Sequence, residues 1–181
     1  MSYFKRMKGS SISPPRMPLN QIAWSWLGAF LGIYSVSILS QLIHIELLSK
    51  LFLVGSFGAS AALIYGAPHA EFSQPRNLVG GHIVSALVGV TLYKYLPLDT
   101  TLLAALAVSI SIVLMHLTRT MHPPGGATAL ITVISGAEIH HMGYLFVLTP
   151  ISIGVFLMLI IALLINNLSN NPKRHYPKYW F

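Results

Sequence analysis

The residues best suited to chemistry lie in one stretch, Arg119-Thr120-Met121-His122-Pro123-Pro124-Gly125-Gly126-Ala127-Thr128. An imidazole near neutrality can bind an anion when charged or pass a proton. A guanidinium three residues earlier can hold or attract the same anion. Pro123 and Pro124 lack backbone N–H groups, so no helix runs through them from the N-terminal side. The prolines push Met121 and His122 toward extended backbone. A new helix can start near Pro124. Its free N–H groups and positive dipole end would then face residues 122–126. Gly125, Gly126 and Ala127 leave room for a second backbone or a ligand. A helix start with small residues and a nearby Arg predicts an anion site.

An echo lies upstream, where Gly58-Ala59-Ser60-Ala61 repeats Gly126-Ala127-Thr128-Ala129. Backbone N–H groups near Ser60 and Thr128, with the two hydroxyls, would replace the water around a small anion. His82, after Gly80 and Gly81, is a third candidate lining residue. Arg76 and Asn77 fall in the loop before it, where Arg76 would guard a mouth and Asn77 would cap a helix starting at Leu78.

The elements that position these residues are membrane elements. Of 181 residues, 54% are hydrophobic and 8% charged, against about a quarter charged in soluble domains. Long apolar runs cover residues 22–43, 78–95, 100–118 and 144–165, with shorter, glycine- or proline-interrupted runs at 51–67 and 124–135. Gly28 and Gly32, and separately Gly81, Ser85 and Gly89, recur every four residues, the spacing of close-packed membrane helices. Pro150 and Gly154 predict a kink in the last run. The expected fold is an all-α polytopic helix bundle with about six membrane elements. Three would form each half, with the second half inverted and its short helix start meeting that of the first near mid-membrane.

The formal charge of +7 resides largely in the tails, at Lys5, Arg6, Lys8 and Arg16 and at Lys173, Arg174 and Lys178. Basic tails flanking apolar spans place both ends in the cytoplasm and argue for lipid, not nucleic acid, as the neighbour. The resulting division is a basic tail at 1–21, a membrane domain at 22–166 and a second basic tail at 167–181. No removed signal peptide is expected, because prolines separate the basic start from the first apolar run. The chain has no cysteine, which removes disulfides and thiolate sites.

These residues also resemble those of the HPP family of integral membrane proteins, defined by a His-Pro-Pro motif that stands here as His122-Pro123-Pro124. The resemblance extends to Gly58-Ala59-Ser60-Ala61, Pro68-His69, Gln74-Pro75-Arg76-Asn77 and Gly80-Gly81-His82, over residues 22–165. Gly125 stands where the family often has Ala. The resemblance implies a compact bacterial-type protein of the inner membrane. Plastid and cyanobacterial relatives are associated with nitrite transport, and the family is often described with four or five spans. A transporter or channel for a small monovalent anion, nitrite first, is the leading expectation, without cofactor or metal and with a homo-oligomer as the assembly. A structural or regulatory membrane subunit is the alternative. A membrane enzyme using His116, His122, His140 and His141 is disfavoured, because neither a His-Glu-x-x-His pattern nor a carboxylate cluster is present.

Overall fold

A computed structural model describes Met7, residues 13–42 and residues 53–181. The tail lysines and arginine at 5, 6 and 8, Glu46 and Lys50 of the first linker, and Leu51 and Phe52 lie outside the described residues. Among the described residues seven α-helices are present: α1 Leu19–Leu42, α2 Gly58–Gly66, α3 Pro75–Tyr95, α4 Thr100–Leu117, α5 Pro123–Ile134, α6 Ala137–Met142 and α7 Ile153–Asn167. No strand occurs among the described residues.

Among the described residues, four helical stretches are long and apolar enough to cross a membrane: Leu19–Ile38, Pro75–Tyr95, Thr100–Leu117 and Val147–Asn167. Of the six membrane elements expected, four stand as spans and the two interrupted runs form the short helices α2 and α5. The two interrupted runs are too short, with 9 residues in α2 and 12 in α5, against about 20 for a crossing. A π-helical turn, Leu53–Phe57, precedes α2. The predicted kink in the last span is present. Thr149 leaves helical geometry (φ −135°, ψ 116°) inside the π-helical turn Val147–Ser152 that leads into α7.

The small residues decide how closely the spans approach. A side chain at Gly81 would collide with the His122 Cβ and the Thr120 carbonyl, and one at Gly89 with Thr132 and the Ala129 carbonyl. The Gly81–Ser85–Gly89 face of α3 thus seats the loop before α5 and α5 itself. On α1, Gly28 and Gly32 leave the space filled by the Tyr65 ring of α2. The buried Tyr65 hydroxyl donates to the Met158 carbonyl of α7 at 3.0 Å. One core forms around Phe57, Tyr65, Leu78, Ile151, Val155 and Met158. A second joins Val88 and Leu92 of α3 to Leu103 and Ala107 of α4 and to Ala129 and Val133 of α5.

The start of α1, the end of α2, the 67–74 loop, the end of α4 and the C-terminal tail gather at one end of the bundle. Arg174 ties them together by donating to the carbonyls of Gln21 and Tyr65 and to Ser25 Oγ. Tyr176 donates to the Ser73 carbonyl at 2.8 Å, and Arg76 to the Thr118 carbonyl at 2.9 Å. Arg174 and Tyr176 are buried, so the basic tail beyond 167 folds back onto the bundle instead of standing free. Ser73 reinforces the end of α2 by donating toward the Leu63 and Ala67 carbonyls, which also accept from the Ala67 and Ala70 N–H groups. At the opposite end, Tyr93 donates to the His140 carbonyl and Lys94 sits over the Tyr144 ring. Among the described residues, Arg16, Arg76, Arg119, Lys173, Arg174 and Lys178 belong to the tail end and Lys94 to the other.

Candidate functional site: a buried histidine chain behind a basic vestibule

His122 precedes α5 with extended backbone (φ −139°, ψ 102°), as the following proline demands. Its Nδ1 lies 2.6 Å from the Phe72 carbonyl. A carbonyl only accepts, so Nδ1 carries the hydrogen and donates. His122 Nε2 faces Ser60 Oγ at 2.9 Å, and Ser60 Oγ faces His82 Nε2 at 2.8 Å. On the other side of its ring, His82 Nδ1 meets Thr128 Oγ1 at 2.7 Å and Ser56 Oγ at 3.3 Å. Ser56 also hydrogen-bonds Thr128 and reaches the Pro124 carbonyl at 3.0 Å. The two imidazoles stack at a tilt, with centroids 5.0 Å apart. Ser56, Ser60, His82, His122 and Thr128 are each fully buried. A buried polar group left unpaired costs about 1–3 kcal/mol, so a chain this complete stabilises the seam between α2, α3 and α5.

The backbone donors expected here are already used or absent, which corrects the picture of two free helix starts. Pro123 and Pro124 have no N–H, and the Gly125 N–H donates to the His122 carbonyl at 2.8 Å. Before α2 the backbone is helical through Phe57 (φ −71°, ψ −32°), so Gly58 and Ala59 sit inside a continuous helical run. What converges is hydroxyl and imidazole, not amide N–H.

The remaining sequence-derived residues divide clearly. The close approach assigned jointly to the two glycines belongs to Gly125, where an added Cβ would lie 2.7 Å from Ser85 Oγ and 2.8 Å from the Gly81 carbonyl oxygen. At Gly126 the nearest atom is Val108 Cγ1 at 3.7 Å, an ordinary contact. Ala127 is half-buried beside it. Asn77 does not cap a helix, because α3 already begins at Pro75. Its side chain instead donates to the Met121 carbonyl at 2.8 Å and holds the loop before His122.

Arg76 and Arg119 line a cavity of about 660 Å³ at the tail end, together with His69, Glu71, His116 and Lys178. Phe72, Asn77 and Met121 form part of the same wall. Phe72 thus faces the cavity while its carbonyl receives the hydrogen of His122. His69 is displaced toward the neutral form, first by partial burial and then by the positive charge of Lys178, His175 and Arg174. The four histidines considered as a ligand set are dispersed. His116 faces the vestibule and His122 is in the buried chain, whereas His140 and His141 lie at the opposite end.

Arg119 has a left-handed backbone (φ 58°). Its N–H donates to the His116 carbonyl and that of Thr120 to the Met115 carbonyl, which together close α4. Glycine usually occupies this closing position, since a side chain there is strained.

Sequence reasoning missed Ser56, the Phe72 carbonyl and the vestibule residues His69, Glu71, His116 and Lys178. For Ser56 a signal existed: Ser56 and Ser60 are one helical turn apart, as are Pro124 and Thr128. Nothing in the local sequence marks the Phe72 carbonyl.

A family model described as "HPP, transmembrane region" matches residues 14–177. A transmembrane protein of Dictyostelium discoideum is 47% identical over 184 residues, covering 100% of this chain and 58% of that protein. A second transmembrane protein of the same organism is 41% identical over 186 residues, covering 100% of this chain and 64% of that protein. The chain therefore spans about three fifths of the length of the curated relatives it matches. No solved structure matches. These relatives are not bacterial, so they lend no support to placement in a bacterial inner membrane. With its spans, its His-Pro-Pro corner and the match over nearly its whole length, the chain is an integral membrane protein of the HPP transmembrane family.

Proposed function

We propose that this protein moves a small monovalent anion across the membrane, with the vestibule as the point of entry. The observation that carries this reading is the vestibule itself. Arg76, Arg119 and Lys178, with His69 and His116, face a cavity of about 660 Å³ whose one acidic side chain is that of Glu71. Clustered positive charge at the edge of a low-dielectric body concentrates anions before they enter. Nitrite is the first candidate, given the association of plastid and cyanobacterial relatives with it. Since the backbone donors near Gly58 and Gly126 are used within the helices, an anion would rest among the vestibule cations, next to Phe72. The hydroxyls of Ser60 and Thr128 lie behind that wall.

Both ends of the chain are proposed to be cytoplasmic, supported by the gathering of Arg16, Arg76, Arg119, Lys173, Arg174 and Lys178 at one end of the bundle. The vestibule then opens inward. Reporters fused to the two ends should read the same side. The meeting of Ser56 with Pro124 and Thr128, and of Ser60 with His122, also supports reading α2 and α5 as counterparts in two inverted halves.

The deciding experiment is a proteoliposome flux assay comparing nitrite, nitrate, formate, chloride and bicarbonate. Anion movement that weakens in Arg76→Gln and Arg119→Gln supports the proposal. Equal leakage of all five anions with and without protein defeats it.

A further inference from the structure

We infer that Ser60 joins His82 and His122 into a holder for one mobile proton, passed between the two rings through the Ser60 hydroxyl. The argument is one of hydrogen direction. Because His122 Nδ1 donates to the Phe72 carbonyl, Nε2 of the neutral ring is a lone pair and needs a donor. Ser60 has one hydrogen, for which the Ser56 carbonyl at 3.1 Å and His122 Nε2 at 2.9 Å compete; given to the closer His122 Nε2, it fills that need. The Ser60 oxygen then accepts the Nε2 hydrogen of His82 at 2.8 Å. His82 Nδ1 is left as an acceptor and takes a hydroxyl hydrogen from Thr128 or Ser56. With Thr128 donating to His82 and Ser56 to Thr128, each contact from Phe72 to Ser56 has a hydrogen, all pointing one way, and the Pro124 carbonyl receives none from Ser56.

The chain also accommodates one proton more. Added at His82 Nδ1, it makes that nitrogen a donor to Thr128. The Thr128 and Ser56 hydroxyls turn over, and the Ser56 hydrogen ends on the Pro124 carbonyl at 3.0 Å. The charge can then cross Ser60. The N–H bond at His82 Nε2 breaks as its proton joins Ser60 Oγ. The original Ser60 O–H bond breaks as that hydrogen joins His122 Nε2. Ser60 ends as it began, His82 is neutral and His122 is charged. No further reactant enters. From His122, the Nδ1 hydrogen points at the carbonyl of Phe72, a residue that lines the vestibule.

Capacity is one proton rather than two. The ring centroids are 5.0 Å apart. Among the described residues, no carboxylate hydrogen-bonds any member of the chain to offset a second charge. The groups facing the pair are Ser56 and the Phe57 ring from the π-helical turn, Ser60 from α2 and Thr128 from α5; none of them is ionisable near neutrality. The nearby charged and titratable side chains are those of the vestibule: His69 and Glu71 from the 67–74 loop, Arg76 from α3, His116 from α4, Arg119 and, from the tail, Lys178 and Tyr179.

The proton holder does not depend on an anion being the cargo. The test is a titration of the full-length wild-type protein, with nitrogen-15-labelled histidine rings, in lipid nanodiscs from about pH 8 to about pH 4. The expected result is a joint transition of His82 and His122 amounting to one proton for the pair. In Ser60→Ala the joint transition should split, leaving a single ring titrating alone. Independent transitions totalling two protons, neutral rings throughout in folded protein, or an unchanged joint transition in Ser60→Ala would each overturn the inference. A chain that gives the joint transition but carries no anion keeps the holder and loses the proposed cargo.

Discussion

The vestibule and the histidine chain lie on either side of Phe72 and solve opposite problems. The vestibule is open and holds full charges, with Arg76, Arg119 and Lys178 facing a cavity. The chain behind it is sealed, and its five side chains satisfy one another as neutral groups. An isolated charge buried in a membrane is costly, whereas hydroxyls and neutral imidazoles can be fully paired there. Of these two regions, the fixed charges are therefore kept in the one that is open. The interior uses groups that can each donate and accept.

That contrast predicts separable consequences, with stability responding inside and uptake responding at the mouth. The largest effect should come from Gly125→Ala, which drives a Cβ into Ser85 and the Gly81 backbone and pushes α5 from α3. A loss of about 1–3 kcal/mol is expected. It should appear as a lower melting temperature and a disrupted chain, whereas Gly126→Ala should melt at or slightly above wild type. Equal damage from the two would break the distinction between them. Thr128→Val comes next. Ser56 still reaches His82, so the cost should stay near about 1 kcal/mol, read from the melting curve of purified protein.

Arg119→Gly should act in the opposite sense on the two readouts. Relief of the left-handed backbone should stabilise the fold by up to about 1 kcal/mol. Loss of the cation should slow anion uptake about threefold to tenfold at low salt, with the difference shrinking as salt is added. Unchanged uptake would show that this residue serves only to close α4. The smallest expected effect is at His69. Its folded form favours the neutral ring, so its contribution to stability is present above its ordinary range near pH 6.5 and declines as pH falls below it. His69→Gln should flatten the acid-side fall in melting temperature without altering it near pH 8.

By itself, the sequence determined what local chemistry controls. Composition made this a membrane protein. Two adjacent prolines broke the chain at His122, extended that residue and started α5. Four-residue spacing marked the faces at Gly28 and Gly32 and at Gly81, Ser85 and Gly89 as places of close approach. Each of these follows from a residue's own backbone limits or from neighbours within a turn or two. The tertiary structure decided who meets whom. Tyr65 fills the space beside Gly28 and Gly32, and Gly125 rather than Gly126 receives the close contact. The two interrupted runs are the short helices expected, but they meet through the Ser56, Ser60, His122 and Thr128 side chains and not through free backbone N–H groups. Ser56 and Thr128 are 72 residues apart, and Ser60 and His122 are 62 apart. Such pairings have no local signature, because a hydroxyl or an imidazole takes whichever partner packing brings within reach. For the same reason the fate of the backbone donors could not be read in advance. A helix start looks like an anion site until the preceding residues, here two prolines and a helical turn through Phe57, are seen to remove or occupy its N–H groups.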